Sequence, residues 1–201
     1  MKRGALHVVT TGIQKAEEIT RIIHDIHPFV DFIHIREKQM PACEIHNLVL
    51  NLTENQIPLS KIIINDRVDV AMICGAKGVH LAYHSIPIEY VKKKFANLYL
   101  GCSVHSETEA RHEKINNADY IMFGHVYQTK SKEGLPPKGL NQLKEVVNIV
   151  EIPVIAIGGI KPKNVREIIS TGATGVAIMS GIFEASNPVK KAKEYYDNLF
   201  I

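Results

Sequence analysis

Ile152-Pro153-Val154-Ile155-Ala156-Ile157-Gly158-Gly159-Ile160 and, after one helical stretch, Gly175-Val176-Ala177-Ile178-Met179-Ser180-Gly181 decide the fold of this chain. Each is a short apolar run, the pattern of a strand covered on both faces, and each ends in small residues. A strand that stops at Gly-Gly or Ser-Gly leaves backbone N–H groups unshielded, so an oxyanion can approach them closely. Two such ends in the last two strand-helix units of the sequence match the loops after strands 7 and 8, where a (β/α)8 TIM barrel builds its phosphate site. Gly158, Gly159, Ser180 and Gly181 are therefore the candidate phosphate-binding residues.

Working outward, short runs rich in Val, Ile, Leu or Phe recur at Ala5–Thr10, Val30–Ile35, Lys61–Ile64, Gly78–Leu81, Leu98–Ser103 and Tyr120–Phe123, before Val154–Ile157 and Gly175–Met179. Amphipathic stretches separate them: Lys15–His27, Pro41–Gln56, Ile86–Phe95, Thr108–Asn116, Leu140–Val150 and Pro162–Thr171. Ser106 followed three residues later by Glu109 predicts a capping box, and Gly172 a helix C′ residue. Strands alternating with helices predict a closed parallel barrel. An open doubly wound sheet would carry a Gly-x-Gly-x-x-Gly turn after its first strand, and Thr10-Thr11-Gly12-Ile13 is no such turn.

With 201 residues the chain suits one barrel domain over 1–201, short for that fold. No stretch approaches the roughly 18 apolar residues of a membrane span. Met1-Lys2-Arg3 precedes too weak an apolar run for a signal peptide, so a cytoplasmic protein with no membrane partner is expected. The net charge of +3 is small and its basic residues dispersed, which argues against a nucleic-acid partner. Cys43, Cys74 and Cys102 form no Cys-x-x-Cys pair for metal or redox work.

In a barrel, functional residues sit at the C-terminal ends of the strands. Strand periodicity puts His34, Arg36 and Lys38 on one face and Ile35 and Glu37 on the other, so two cations converge on one cavity unless they pair with Glu37 or neighbouring carboxylates. Asn65 and Asp66 end the third strand, where Asp66 either ligates a divalent cation or caps the helix that follows. His80 to His84 end the fourth strand, and Ser103 and His105 the fifth. After the sixth, His125 follows Gly124 at the barrel mouth. An imidazole there suits proton transfer near neutral pH, or else holds a loop carbonyl. Thr129, Ser131 and Lys132 supply hydroxyls and a cation for an anionic group.

The stretches Ile33-His34-Ile35-Arg36-Glu37-Lys38, Asn65-Asp66-Arg67-Val68-Asp69, Gly78-Val79-His80-Leu81, Gly101-Cys102-Ser103-Val104-His105 and Asp119 to Tyr127, with the Gly158-Gly159 and Ser180 ends, resemble the thiamin phosphate synthase superfamily over nearly the whole chain. The resemblance is closest to its TenI-like branch, the thiazole tautomerases. A synthase of this superfamily has Gln where His34 stands, and Arg36 and Lys38 match its pyrophosphate-holding cations. It has a second magnesium-binding Asp just after the Gly-Val-His-Leu strand, where Ala82-Tyr83-His84-Ser85-Ile86-Pro87 has no carboxylate. It also has Pro where His125 stands.

Loss of a metal ligand together with gain of an acid/base residue implies a thiazole tautomerase of thiamin biosynthesis. Its substrate is a small-molecule thiazole phosphate carboxylate, whose alkylidene tautomer is aromatised. In that reading His125 is catalytic, while His34, Arg36, Lys38, Asn65, Ser103, Thr129, Ser131 and Lys132 bind substrate. The resemblance then implies no metal and no organic cofactor, and a homodimer is expected. The alternatives are thiamin phosphate synthase itself, joining a pyrimidine pyrophosphate to a thiazole phosphate, and a non-catalytic thiazole-phosphate-binding regulator.

Overall fold

The computed structural model describes residues 3–200; Met1 and Lys2, part of the stretch weighed as a signal peptide, lie outside them. Strands and helices alternate in the order β1 (Ala5–Val9), α1 (Ala16–Ile26), β2 (Phe32–Ile35), α2 (Ala42–Glu54), β3 (Ile62–Asn65), α3 (Val68–Cys74), β4 (Gly78–Leu81) and α4 (Ile88–Lys94). The second half runs β5 (Tyr99–Val104), α5 (Glu107–Ile115), β6 (Tyr120–Gly124), α6 (Gly139–Ile149), β7 (Val154–Ile157), α7 (Val165–Ser170), β8 (Gly175–Ile178), α8 (Ser180–Phe183) and α9 (Pro188–Asp197). All neighbouring strands are parallel, and β8 pairs with β1, so the sheet closes into an eight-stranded barrel. Among the described residues no helix is long and apolar enough to cross a membrane.

Period-two alternation along each strand divides the buried residues into two sets. Ile33, Ile35, Ile62, Ile64, Leu100, Val104, Ile121 and Phe123 face outward into one large apolar layer beneath the helices. Val9, Ile63, Tyr120, Met122, Ile155 and Ala177 face inward and fill the lumen. The helices meet the outer layer through stripes of 3.6-residue period. In α1 these are Ile19, Ile22, Ile23 and Ile26, all buried, while Glu17, Glu18 and Asp25 sit on the wet side.

Local signals account for several element ends. Gly172 follows α7 at φ +97°, a conformation side chains avoid. The Ser106 hydroxyl accepts from the Glu109 N–H at 3.2 Å and caps α5, but the reciprocal half of the expected box is displaced by one residue. Glu109 Oε2 accepts from the His105 N–H at 2.7 Å, because His105 rather than Ser106 turns its N–H toward the helix. Asp66 does not cap α3 either. Its backbone takes φ +67°, its N–H donates to the His80 carbonyl at 2.9 Å, and no side chain caps that helix.

Candidate active site

The C-terminal ends of the strands surround a cavity of ≈ 470 Å³. Every residue expected to bind substrate or move its proton borders it: His34 on β2, Arg36 and Lys38 after β2, Asn65 on β3, Ser103 on β5, and His125, Thr129, Ser131 and Lys132 after β6. Gly158 and Gly159 after β7 and Ser180 and Gly181 at the start of α8 complete the wall. Lys161 adds a cation, so Arg36, Lys38, Lys132 and Lys161 converge on a space that no Asp or Glu borders among the described residues. Arg36 and Lys38 form no ion pair among the described residues. Glu37 points the other way and is buried, and burial pushes its carboxyl above the usual range. The β2 end is held by the Arg36 N–H, which donates to Thr10 Oγ1 at 2.8 Å.

Opposite these cations the wall is backbone. Gly158 and Gly159 have φ of +98° and +67°. A Cβ on Gly158 would lie 2.3 Å from His125 Cβ, and one on Gly159 would lie 2.4 Å from the Gln128 carbonyl oxygen. The segment after β6 therefore lies directly on the β7 end, and only glycine admits it. Two backbone bonds seal the contact, Val126 N–H to Ile157 O at 2.9 Å and Tyr127 N–H to Gly158 O at 3.0 Å. Tyr195 of α9 ties β7 to β8: its hydroxyl donates to the Ile160 carbonyl at 2.9 Å and stands where a side chain on Gly181 would go. His125 is buried and donates from Nε2 to the Leu135 carbonyl at 3.3 Å, holding the far end of the same segment.

Polar groups pair with one another at and beneath the cavity floor, among the apolar Val9, Met122 and Ala177. His7 Nδ1 and His34 Nε2 share a hydrogen bond of 2.9 Å, and His80 joins Tyr120 to Ser103. Burial pushes the imidazole pKa down to about 3 at His7 and about 4 at His80, and well below its ordinary value at His34, so all three are neutral at pH 7. Sequence reasoning noted His80 only as part of a strand end and passed over Tyr120, Lys161 and Tyr195. For His80 the signal was available: with Gly78 it shares the inward parity of β4.

The superfamily resemblance implies magnesium, and the donor set here does not fit a two-carboxylate site. The segment after β4 brings Tyr83 and His84 to the cavity, Asp66 does not border it, and among the described residues no group of three or more His, Cys, Asp or Glu side chains is placed to hold a metal.

A family model described as thiamine monophosphate synthase (TMP-TENI) matches residues 6–182. The thiamine-phosphate synthase of Pyrococcus horikoshii is 35% identical over 192 residues, 94% of this chain and 91% of that protein. That of Pyrococcus furiosus is 39% identical over 163 residues, 81% and 78% of the two chains. Among solved structures, a thiamine phosphate pyrophosphorylase from Pyrococcus furiosus superposes with a TM-score of 0.83 at 31% identity, covering 97% of this chain and 95% of its own. A 3-hexulose-6-phosphate synthase, with TM-score 0.79 at 16% identity, shares the fold alone.

These relatives overturn the expected tautomerase. They carry thiamine-phosphate synthase or pyrophosphorylase names over most of the length, whereas the tautomerase expectation rested on single side chains, His34, His125 and the missing carboxylate after β4. Matched over most of its length by the family model and over nearly all of it by these relatives, the chain belongs to the thiamine monophosphate synthase family.

Proposed function

We propose that this chain is a thiamine-phosphate synthase, joining a pyrimidine pyrophosphate to a thiazole phosphate with release of pyrophosphate. The observation that carries the reading is the cavity in which Arg36, Lys38, Lys132 and Lys161 converge with no carboxylate among the residues that border it. Such a space favours polyanions, and unpaired cations at its wall are free to take charge that develops on a leaving group.

In this reading the bond between the pyrimidine methylene carbon and the pyrophosphate oxygen breaks, with the electron pair going to oxygen. Arg36 and Lys38 neutralise that charge, with Lys132, Thr129 and Ser131 closing from the β6 side. The thiazole ring nitrogen donates its lone pair to the methylene carbon. The N–H groups of Gly158, Gly159, Ser180 and Gly181 hold the thiazole phosphate and so fix the attack distance. His34, Asn65 and Ser103 face the pyrimidine from the floor. Bond making and breaking at these atoms moves no proton, so His125 serves here through position: its bond to Leu135 keeps the segment bearing Thr129, Ser131 and Lys132 over the pyrophosphate. The residues after β3 and β4 do not fit a two-carboxylate magnesium site, so in this reading the side-chain cations meet the leaving-group charge.

The test is incubation of the protein with both substrates, with and without magnesium, following thiamin phosphate and pyrophosphate together. Equimolar appearance of the two supports the reading. Absence of thiamin phosphate under every metal condition overturns it.

A further inference from the structure

Beneath the cavity, Tyr120, His80 and Ser103 form a chain that crosses the lumen. Tyr120 on β6 is fully buried and does not border the cavity, while Ser103 on β5 does. His80 on β4 stands between them, with Nδ1 3.0 Å from the Tyr120 hydroxyl and Nε2 2.8 Å from Ser103 Oγ. The chain is built into the barrel by a glycine. Gly101 of β5 pairs with both His80 and Tyr120, and a Cβ there would lie 1.9 Å from Tyr120 Cζ. Without a side chain at Gly101, the Tyr120 ring passes across β5 and reaches a histidine two strands away.

A neutral imidazole has one donor and one acceptor, so this chain runs in one of two directions. Burial keeps His80 neutral. A phenol is a stronger donor and a weaker acceptor than an aliphatic hydroxyl, since its oxygen lone pair is drawn into the ring. The lower-energy arrangement has Tyr120 O–H donating to Nδ1 and Nε2–H donating to Ser103 Oγ, each bond strengthening the other in a low-dielectric interior. Ser103 then accepts from His80 with one of its two lone pairs and has its own proton left for the cavity.

We propose that Tyr120 and His80 are positioning residues that orient the Ser103 hydroxyl as a hydrogen-bond donor into the cavity. Ser103 so held donates to a ligand atom with a free lone pair, such as an unprotonated ring nitrogen. The identity of that ligand as the pyrimidine rests on the synthase reading. The direction of the chain does not.

The first experiment is nitrogen-15 NMR of the His80 ring in the protein without ligand. An unprotonated Nδ1 and a protonated Nε2 are expected, and the opposite tautomer overturns the proposal. In Tyr120→Phe, which keeps the ring and removes the hydroxyl, Nε2 should stay protonated while the Nδ1 resonance moves toward that of an imine nitrogen that accepts no hydrogen bond; an unmoved Nδ1 resonance overturns the claim that Tyr120 donates to it. The second experiment is calorimetric titration with thiamin phosphate. Tyr120→Phe and Ser103→Ala should each weaken binding by about two- to tenfold, and the double variant no further than Ser103→Ala alone. Additive losses would mean that Tyr120 acts independently of Ser103. Wild-type protein that fails to bind thiamin phosphate defeats the synthase reading, while the ring tautomer still decides the relay.

Discussion

The two faces of the barrel sheet are built from different chemistry. The outer face presents Ile33, Ile35, Leu100 and Phe123 to a layer of Ile, Leu and Val from the helices. The inner face sets His7, His34, His80 and Tyr120 among Val9, Ile63, Met122, Ile155 and Ala177, and its upper end opens into the cationic cavity. Apolar contacts are non-directional and tolerate approximate fit. Buried polar groups must each find a partner, so the lumen is held by specific bonds: His7 to His34, and Tyr120 through His80 to Ser103. Stability therefore resides mainly in the outer layer, and orientation of the site in the lumen.

Acid should break the contrast most strongly, because the lumen buries three neutral imidazoles. His7 and His80 have folded-state pKa values near 3 and 4, below the unfolded value near 6.5. Between those limits the unfolded chain binds the extra protons. The lumen's contribution is complete above about pH 6.5 and falls with pH by up to about 1.4 kcal/mol per unit for each histidine. Denaturant midpoints measured from about pH 7 down to pH 5 should decline accordingly; a flat profile would mean that these imidazoles are not buried neutral.

Next in size is the outer layer. Ile23→Ala removes a fully buried side chain from the inner stripe of α1 and should lower unfolding free energy by about 2–5 kcal/mol. Activity per folded molecule should be retained, and a fall in kcat at full folding would erase the distinction between the faces. Arg36→Ala is the converse: kcat/KM should drop roughly 100-fold, the scale of a lost charge-stabilising group, with little change in the thermal midpoint. Equal losses in both would place Arg36 in the framework instead.

The smallest effect sharpens the border between the two faces. Tyr195 comes from outside the barrel yet ties the β7 and β8 ends through the Ile160 carbonyl. Tyr195→Phe should raise KM for the phosphate substrate about fivefold, the equivalent of one hydrogen bond, with kcat nearly unchanged. An unaltered KM would show the two glycine ends to be independent of each other.

All eight strands were legible in the sequence, within one or two residues at most ends, because a strand covered on both faces needs a continuous apolar run and turn residues beside it. Strand parity put Arg36 and Lys38 on one face but left open whether they pair with carboxylates, which only the three-dimensional arrangement answers, since neither forms an ion pair among the described residues. Asp66 was not legible, since its left-handed backbone depends on a bond to His80 from the next strand. The reciprocal bond of the α5 cap was displaced for a similar reason, the path of the chain at His105. The reaction was misjudged where single side chains, His125 and the absent carboxylate after β4, were weighted above the architecture that the relatives share.

What the sequence determined by itself is the barrel, its closing order and the rim from which the site is made, because period-two and period-3.6 patterns are local properties of the chain. The tertiary structure alone decided which polar residues meet. Tyr120 reaches His80 only because Gly101, nineteen residues earlier on the intervening strand, has no side chain, and the segment after β6 settles on β7 only because Gly158 and Gly159 have none. Such contacts depend on volume left empty by a distant residue, and no periodicity along the chain records an empty volume.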